Sequence, residues 1–554
     1  MKFSLSIKII VILSVFLLCA GVGVYSFMRL NSVEQRKDFN LYALVPQDAV
    51  AVFETDRMVD MLEVMGRMKC SEDGHNLHAS YLFSCLKKYL DTLMAETPHA
   101  LSKQMNKILI SFHTPDTQAD QVLYCTLGEG DRDLLENFIR KYCPESFPVK
   151  TSKYRGQEIR IYPMNNGQFL AVYLTQDFLA LSFQKKLLEK VIDARKDGHS
   201  LPDEPSFKIL HSGKIRNVEA SLYLRTRSVH MGLPTDTLRP VLNLGEWMEF
   251  DMKFTEKAIY CTGLSHETDT VHSLVRALRP QESLSGFAGE RLPSSTYLYT
   301  HWSMSEKDSL FAFQASQVPY DNHTDPYPSK RDRELQDFLT ANADTSLLTC
   351  FFLTDYPGRK TPCTVSIIPL TNEWKARQDF LNWLRSTPHD TNAPSRPRFT
   401  PGYDRYPHSQ AYRKYLMPRN TLVTRLTGWT DTLLYSYACF YRGCLLLSPD
   451  ALSLSAYIEA LEGKNNLTGS THYEVLASSL APSYNLLLMA DMDEVLRQPA
   501  AWAHLVPGFF LQHEDFFRYF VLAIQFNNQE GTVCPNLTLW YRPEDLPEKK
   551  ESSH

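Results

Sequence analysis

The longest uninterrupted apolar stretch runs from Ile9 to Met28, IIVILSVFLLCAGVGVYSFM, and carries no charge. A hydrocarbon core of about 30 Å takes roughly 20 residues of helix. Lys2 and Lys8 precede the run, and Arg29, Arg36 and Lys37 follow it, diluted by Glu34 and Asp38. The pattern predicts a cytoplasmic N-terminus over 1–8, a transmembrane signal-anchor over 9–28 and a short tether over 29–40. On that reading the chain is a single-pass inner-membrane protein with its bulk in the periplasm. Two alternatives use the same residues. A signal peptidase would cut at Cys19-Ala20-Gly21 or Gly21-Val22-Gly23. A lipoprotein would carry its lipid on Cys19, against which the bulky Leu18 argues.

Beyond the run, the alternation of apolar and polar positions repeats itself. Phe169 to Leu210 and Tyr435 to Leu476 align without a gap at an offset of 266 (448 minus 182). Ser182 meets Ser448, Leu188 meets Leu454, Ile192 meets Ile458 and Phe207 meets Tyr473. Each copy reads as strand, tight turn, strand, helix, loop and short helix. The turns are Thr175-Gln176-Asp177 and Tyr441-Arg442-Gly443. Ser448-Pro449-Asp450 has the makings of a helix start, with serine as N-cap and proline in the first turn.

The match extends outward. Leu44 to Asp56 resembles Leu292 to Ser303 around Pro46 and Pro293, and Glu219 to Arg225 answers Asn485 to Asp491. The pattern predicts an α+β chain: the N-terminal transmembrane helix, then two tandem related domains with mainly antiparallel sheets and packed helices. The extracytoplasmic units are placed at 41–279 and 285–543, with a disordered polar tail over 544–554.

The second unit has gained about twenty residues, because the offset grows from 246 at Asp133 and Asp379 to 266 at the hairpin. The added segment, about 388–420, holds six prolines, which oppose regular structure over most of it. Arginines and tyrosines alternate through it, a mixture enriched at binding hot spots. Arg396, Arg398, Tyr403, Arg405, Tyr406, Arg413 and Lys414 are the candidate partner-binding residues. Their partner would be an envelope protein or an anionic glycan or lipid. The opposing reading is a solvated loop whose aromatics fold back on their own domain.

Composition narrows the rest. The apolar fraction of 44% is that of a globular chain, and a net charge of -5 argues against a nucleic-acid partner. Eleven cysteines are spread thinly, with Cys439–Cys444 and Cys70–Cys85 as local pairing candidates and buried thiols as the alternative. Cys70, His75, His78 and Cys85 fit no common zinc spacing. Asp491, Asp493 and Glu494, like His266, Glu267 and Asp269, stand where acids assist a helix start. No Gly-x-Ser-x-Gly, His-Glu-x-x-His, P-loop or Cys-x-x-Cys occurs, and the sequence points to no catalytic residue, cofactor or metal.

An N-terminal anchor, the Leu-x-Pro-x-Asp entry at Leu44–Asp48 and the Leu-Ser pairs at Leu181-Ser182 and Leu447-Ser448 resemble uncharacterised envelope proteins of Gram-negative bacteria. The resemblance implies a membrane-anchored protein with large extracytoplasmic domains of unknown function, and it carries over no catalytic residue. Three functions are expected in order: a non-catalytic binding or scaffold protein of the envelope, a hydrolase with a site assembled from scattered residues, and a chaperone or assembly factor with an apolar groove near Phe509-Phe510 and Phe516-Phe517.

Overall fold

The computed structural model describes residues 39–542 apart from 77–79, 81, 87–103, 115–119, 129, 143–148, 165–166, 213–217, 230–243, 267–272, 287, 317–329, 357, 387–405, 421, 424–433, 470–475, 479 and 498–506. In the first half the strands are β1 (Ala51–Thr55), β2 (Ile108–Phe112), β3 (Gln121–Thr126), β4 (Lys150–Tyr154), β5 (Gln157–Pro163), β6 (Phe169–Leu174), β7 (Phe178–Ser182), β8 (Ala220–Arg225), β9 (Trp247–Phe254) and β10 (Ala258–His266). The second half holds β11 (Leu284–Ser285), β12 (Thr296–Ser303), β13 (Ser346–Asp355), β14 (Lys360–Pro369), β15 (Lys414–Asn420), β16 (Tyr435–Tyr441), β17 (Cys444–Ser448), β18 (Ser483–Tyr484), β19 (Leu486–Asp491), β20 (Phe520–Gln529) and β21 (Thr532–Tyr541).

Nineteen of these form one sheet, and β11 and β18 pair separately. From edge to edge the first half runs β4-β5-β6-β7-β3-β2-β1-β8-β9-β10. β10 then pairs with β21, and the second half runs β21-β20-β19-β12-β13-β14-β17-β16-β15. Every neighbouring pair is antiparallel. This corrects the expected fold class: a single large antiparallel sheet dominates a mixed helix and strand structure, where each repeat was expected to have sheets of its own. Residues 9–28 lie outside the described residues, and among those described no helix is long and apolar enough to cross a membrane. The expected fold class and the single-pass inner-membrane placement are corrected to that extent: the described structure is a mixed helix and strand fold without a membrane-crossing helix.

The two halves share their pairing scheme. Ala51 faces Leu224 as Leu298 faces Ala490, and Ala220 faces Met252 as Leu486 faces Phe526. The isolated bridge Pro46–Ser200 has its counterpart in Pro293–Asn466. The Leu-Ser pairs have a local physical reason. Ser182 donates its hydroxyl to the Gln121 carbonyl at 2.7 Å and accepts from the Gln184 N–H at 3.0 Å. Ser448 does the same with Thr364 at 2.9 Å and Asp450 at 3.3 Å. Each serine thus ties the end of its strand to the next strand and aims the following helix. This places the second helix two residues later than its serine suggested. Asp450 is the N-cap, its carboxylate accepting from the Ser453 N–H at 2.7 Å, and the helix is Ala451–Glu462.

Apolar cores lie on both faces. On one face the helix Lys185–Asp197 covers Tyr124, Tyr173, Phe178 and Ala180, and the helix Ala451–Glu462 covers Leu446, Cys439 and Phe352. On the other, the helix Glu373–Ser386 inserts Ala376, Phe380 and Leu384 beside Phe440 and Leu445. At the join of the halves, Phe254, Ile259 and Cys261 meet Phe520, Leu522, Leu539 and Tyr541 in one core. Phe510, Phe516 and Phe517 belong to that core, and only Phe509 of the proposed apolar groove is exposed, at 41%.

The proline-rich segment also departs from expectation. Residues 387–405 lie outside the described residues, but Lys414–Asn420 forms strand β15 despite Pro418. β15 ends the sheet and has a register shift between Leu416 and Asn420. Both features tolerate a residue without an N–H.

Two predictions follow from packing and burial. A Cβ added at Gly263 would lie 2.3 Å from the Glu249 carbonyl oxygen and 2.9 Å from Phe250 Cδ1. Gly263→Ala therefore lowers stability by about 1–3 kcal/mol, read as a shifted urea midpoint; an unchanged midpoint would show that β9 yields freely. His301 is half-buried with its Nδ1 2.8 Å from the Tyr484 hydroxyl, and desolvation lowers its pKa from 6.5 to about 4. Between those values the unfolded chain binds the extra proton, so stability rises with pH, by on the order of 3 kcal/mol in all. His301→Gln should flatten that part of a pH–stability curve, and an unaltered curve would refute the assignment.

Candidate functional site

Of the seven residues expected to meet a partner, Arg396, Arg398, Tyr403 and Arg405 lie outside the described residues. Tyr406 is buried, its hydroxyl 3.0 Å from Thr354 Oγ1. Lys414 is 2% exposed and donates from Nζ to the Ser409 carbonyl at 3.0 Å. Burial lowers its pKa from the ordinary lysine value. Arg413 is exposed. These three do not form one surface, and Tyr406 and Lys414 serve the interior.

The described end of the insert instead leads to the β16–β17 turn. Arg442 and Gly443 have φ of 46° and 77°, the left-handed pair of a two-residue hairpin. Gly443 N–H donates to Glu373 Oε2 at 3.0 Å, and Arg377 donates to Glu373 Oε1 at 2.7 Å. The Arg377 guanidinium lies 5.2 Å over Phe440. On the other side of the turn, Glu462 Oε1 accepts from Tyr441 Oη at 2.9 Å, from Tyr412 Oη at 3.3 Å and from Arg442 Nη2 at 3.0 Å. The Tyr441 hydroxyl, then the Arg442 charge, hold the Glu462 carboxyl below its usual range. Tyr412 packs edge-on to Tyr441 at 4.9 Å. Two carboxylates thus clamp one turn from two helices.

Trp374 follows Glu373 in the first turn of its helix and is 73% exposed. It stands opposite the buried Ala376–Phe380–Leu384 stripe of that helix. An exposed tryptophan next to Glu373, which anchors the turn that carries the clamped Arg442, has the composition of a binding hot spot. Sequence reading missed Trp374, although its signal was present: a large apolar residue on the wrong side of an amphipathic helix.

The most suggestive chemical grouping lies elsewhere. Ser111 Oγ is 2.9 Å from His113 Nε2, and His113 Nδ1 is 3.0 Å from Asp48 Oδ1. The order is that of a nucleophile, base and carboxylate. Ser111 is 0% exposed, however, and its hydroxyl also touches Tyr124 Oη at 3.1 Å. A reacting carbonyl must reach about 3 Å from the nucleophile, and this serine has no open side. The Lys190 ammonium, 2.5 Å from Asp48 Oδ2, extends the chain of contacts to the helix Lys185–Asp197. Hydrogen bonds from His113, then Lys190, hold the Asp48 carboxyl well below its ordinary value. The grouping braces the segment before β1 against β2 and that helix.

The zinc candidates part company. Cys70 is buried, the His75 ring stacks on Tyr519 at 3.6 Å, and His78 lies outside the described residues. Among the described residues no group of three or more His, Cys, Asp or Glu is placed to hold a metal. Neither Cys70–Cys85 nor Cys439–Cys444 forms a disulfide. Asp491 accepts from the Asp493 N–H at 3.2 Å and binds Arg542 at 2.6 and 3.1 Å.

No protein-family model matches the chain, and no curated protein matches it. Two solved structures of TP0453 are similar to it. Crystal form III is 9% identical over 45% of this chain and 90% of that one, with a TM-score of 0.24. Crystal form I is 11% identical over 42% and 80%, with a TM-score of 0.23. Scores this low support no statement about function.

The clamp yields a prediction. Glu462→Ala removes the shared acceptor of Tyr412, Tyr441 and Arg442 and costs about 1 kcal/mol. A thermal melt would register the loss; an unchanged melting temperature would show that solvent replaces the carboxylate without cost.

Proposed function

We propose that this chain is a non-catalytic binding or scaffold protein that engages a polypeptide partner through the rim formed by Trp374 and Arg442. The observation that carries the reading is the 73% exposure of Trp374 on a helix whose other large apolar groups are buried or half-buried. Covering the exposed part of an indole is worth roughly 3–4 kcal/mol at about 25 cal/mol per Å². That is enough to anchor a specific contact, provided the ring is held in place. The helix supplies this rigidity, since Asn372 Oδ1 accepts from the Lys375 N–H at 3.0 Å and Glu373 is tied to Gly443. Arg442, oriented over Tyr441 at 5.1 Å in the turn whose Gly443 N–H reaches Glu373, adds a directed donor on the same hairpin.

The test is photo-crosslinking in the native host, with the reactive amino acid placed at position 374 of the full chain. One discrete protein adduct is expected. Trp374→Ala should weaken binding to that partner about a hundredfold, while Phe169→Ala, at another exposed aromatic, leaves it unchanged. Abundant adducts from position 169 with none from position 374 would end the proposal.

A further inference from the structure

The two faces of the sheet differ at its middle. On one, Phe254, Ile259, Cys261, Leu522 and Leu539 carry apolar packing across β9, β10, β21 and β20. The other face is covered on both sides and bare between. On the first-half side the helix Pro205–Ser212 sets Phe207 against Trp247 of β9, ring centroids 5.1 Å apart. On the second-half side Gln525 of β20 holds the segment at Ala481, accepting from its N–H at 2.9 Å and donating to its carbonyl at 3.1 Å. The core that contains Phe207 and the core that contains Tyr484 share no residue. Between them runs a trough of three strand spacings, about 14 Å across and about 20 Å long from Ala258 to Leu264. Asp251, Thr262 and Asn536 stand opposite one another on its floor, as do Lys253, Tyr260 and Thr538 in the next row. Lys253 and Thr262 are exposed, Asp251, Tyr260, Asn536 and Trp540 are half-buried, and Leu264 is 40% exposed.

We propose that this trough binds a neutral polysaccharide strand. Among the described residues, Lys253, Tyr260, Thr262, Asn536, Thr538 and Trp540 make no side-chain hydrogen bond or ion pair within the chain. Their bonding capacity is unspent. An antiparallel sheet can simply face water on one side, but water has no use for two aromatic rings and an exposed leucine. Tyrosine and tryptophan suit a place where one end of the ring is apolar and the other wet. A helix or a second sheet laid on the floor would cut these polar groups off from water without bonding them, at a cost for each. A sugar ring meets both demands. Its C–H face covers Tyr260, Trp540 and Leu264. Its hydroxyls donate and accept, as do the hydroxyls of Thr262 and Thr538 and the amide of Asn536. Asp251 and Lys253 bring opposite charges to adjacent rows of the floor, so its charge complement is a neutral ligand. The length of the trough exceeds one ring, which calls for linked sugars. The site lies on the face opposite the helix that carries Trp374 and stands independently of the rim.

The experiment holds the full chain on a sensor surface and titrates it with laminarin, mannan, dextran and hydroxyethyl cellulose, with heparin as the anionic comparison. Binding of at least one neutral polysaccharide is expected, and it should persist when salt is raised to about 0.5 M, where charge contacts are screened. Asn536→Ala and Thr262→Ala each remove a bonding group and should weaken that binding about tenfold, with an unchanged melting temperature as the sign of an intact fold. Tyr260→Ala removes an apolar surface and should weaken it at least as much; Thr262, being exposed, keeps the test in hand if that variant does not fold. Phe169→Ala, at an exposed ring elsewhere, should leave binding as it was. The proposal is overturned if no neutral polysaccharide binds, if binding is the same in Asn536→Ala and Thr262→Ala, or if heparin alone binds and is lost at the higher salt. A photo-reactive residue at position 262 that captures a protein in the host, with no polysaccharide bound, would assign the trough to a polypeptide and overturn it likewise.

Discussion

One strand pair, β10 with β21, holds the architecture together. It joins ten strands to nine and lets Phe254, Ile259 and Cys261 share a core with Phe520, Leu522, Leu539 and Tyr541. The contacts around it are set by the join. Lys69 N–H donates to the Glu256 carbonyl at 2.8 Å beside the seam, and Tyr541 Oη reaches Asp73 at 2.9 Å across it. Long antiparallel sheets must cover or pair their edges. Here the pairing of two related edges removes both at once, so among the described residues β4 and β15 remain as the ends of the large sheet.

The sequence was legible where a residue type has a local duty. The Leu-Ser pairs could be aligned at an offset of 266 because each serine must accept an N–H and donate to a neighbouring strand, which few side chains do as compactly. Pro46 and Pro293 aligned because both mark the same bridge at the entry to a strand. The single sheet was not legible. Strand periodicity tells which side chains share a face, not which strand lies alongside, and the partner of β10 is more than 270 residues away in the chain. The prolines of the insert misled for a similar reason: their cost depends on whether the strand is an edge, which only the assembled sheet decides. Trp374 was legible in principle, but a lone exposed apolar residue is ordinary until its neighbours show that it is held.

Because the halves share one scheme, each serves as a control for the other, and their chemical differences stand out. Glu54 in β1 is replaced by His301 in β12 (301 minus 54 is 247, the offset that separates Ala51 from Leu298 in the same strands). One half therefore buries a carboxyl group where the other holds a half-buried imidazole, whose pKa desolvation lowers to about 4. The turn at Gln176 and Asp177 has become Arg442 and Gly443. The first turn of the helix Asp131–Tyr142 carries no aromatic residue, while that of Glu373–Ser386 carries Trp374. The rim thus belongs to the second half alone, so one partner site per chain is the expected stoichiometry.

Lys414 explains how the insert and the rim are related. Tyr415 pairs with Ala438 as Arg160 pairs with Val172, which makes Lys414 the counterpart of Ile159, a fully buried core residue. An ammonium in an isoleucine's place loses its hydration and needs an acceptor. The carbonyl of Ser409 provides one, and the turn His408–Ala411 that carries it is held in turn by Glu459, through the His408 N–H at 3.0 Å and Nδ1 at 2.7 Å. The buried lysine therefore draws this end of the insert down onto the sheet. Tyr406 and Tyr412 follow it inward, and Tyr412 meets Glu462 and Tyr441 at the base of the hairpin. The basic and aromatic residues that looked like a binding loop in the sequence become the support of the turn, and the outward-facing chemistry passes to Arg442 and Trp374.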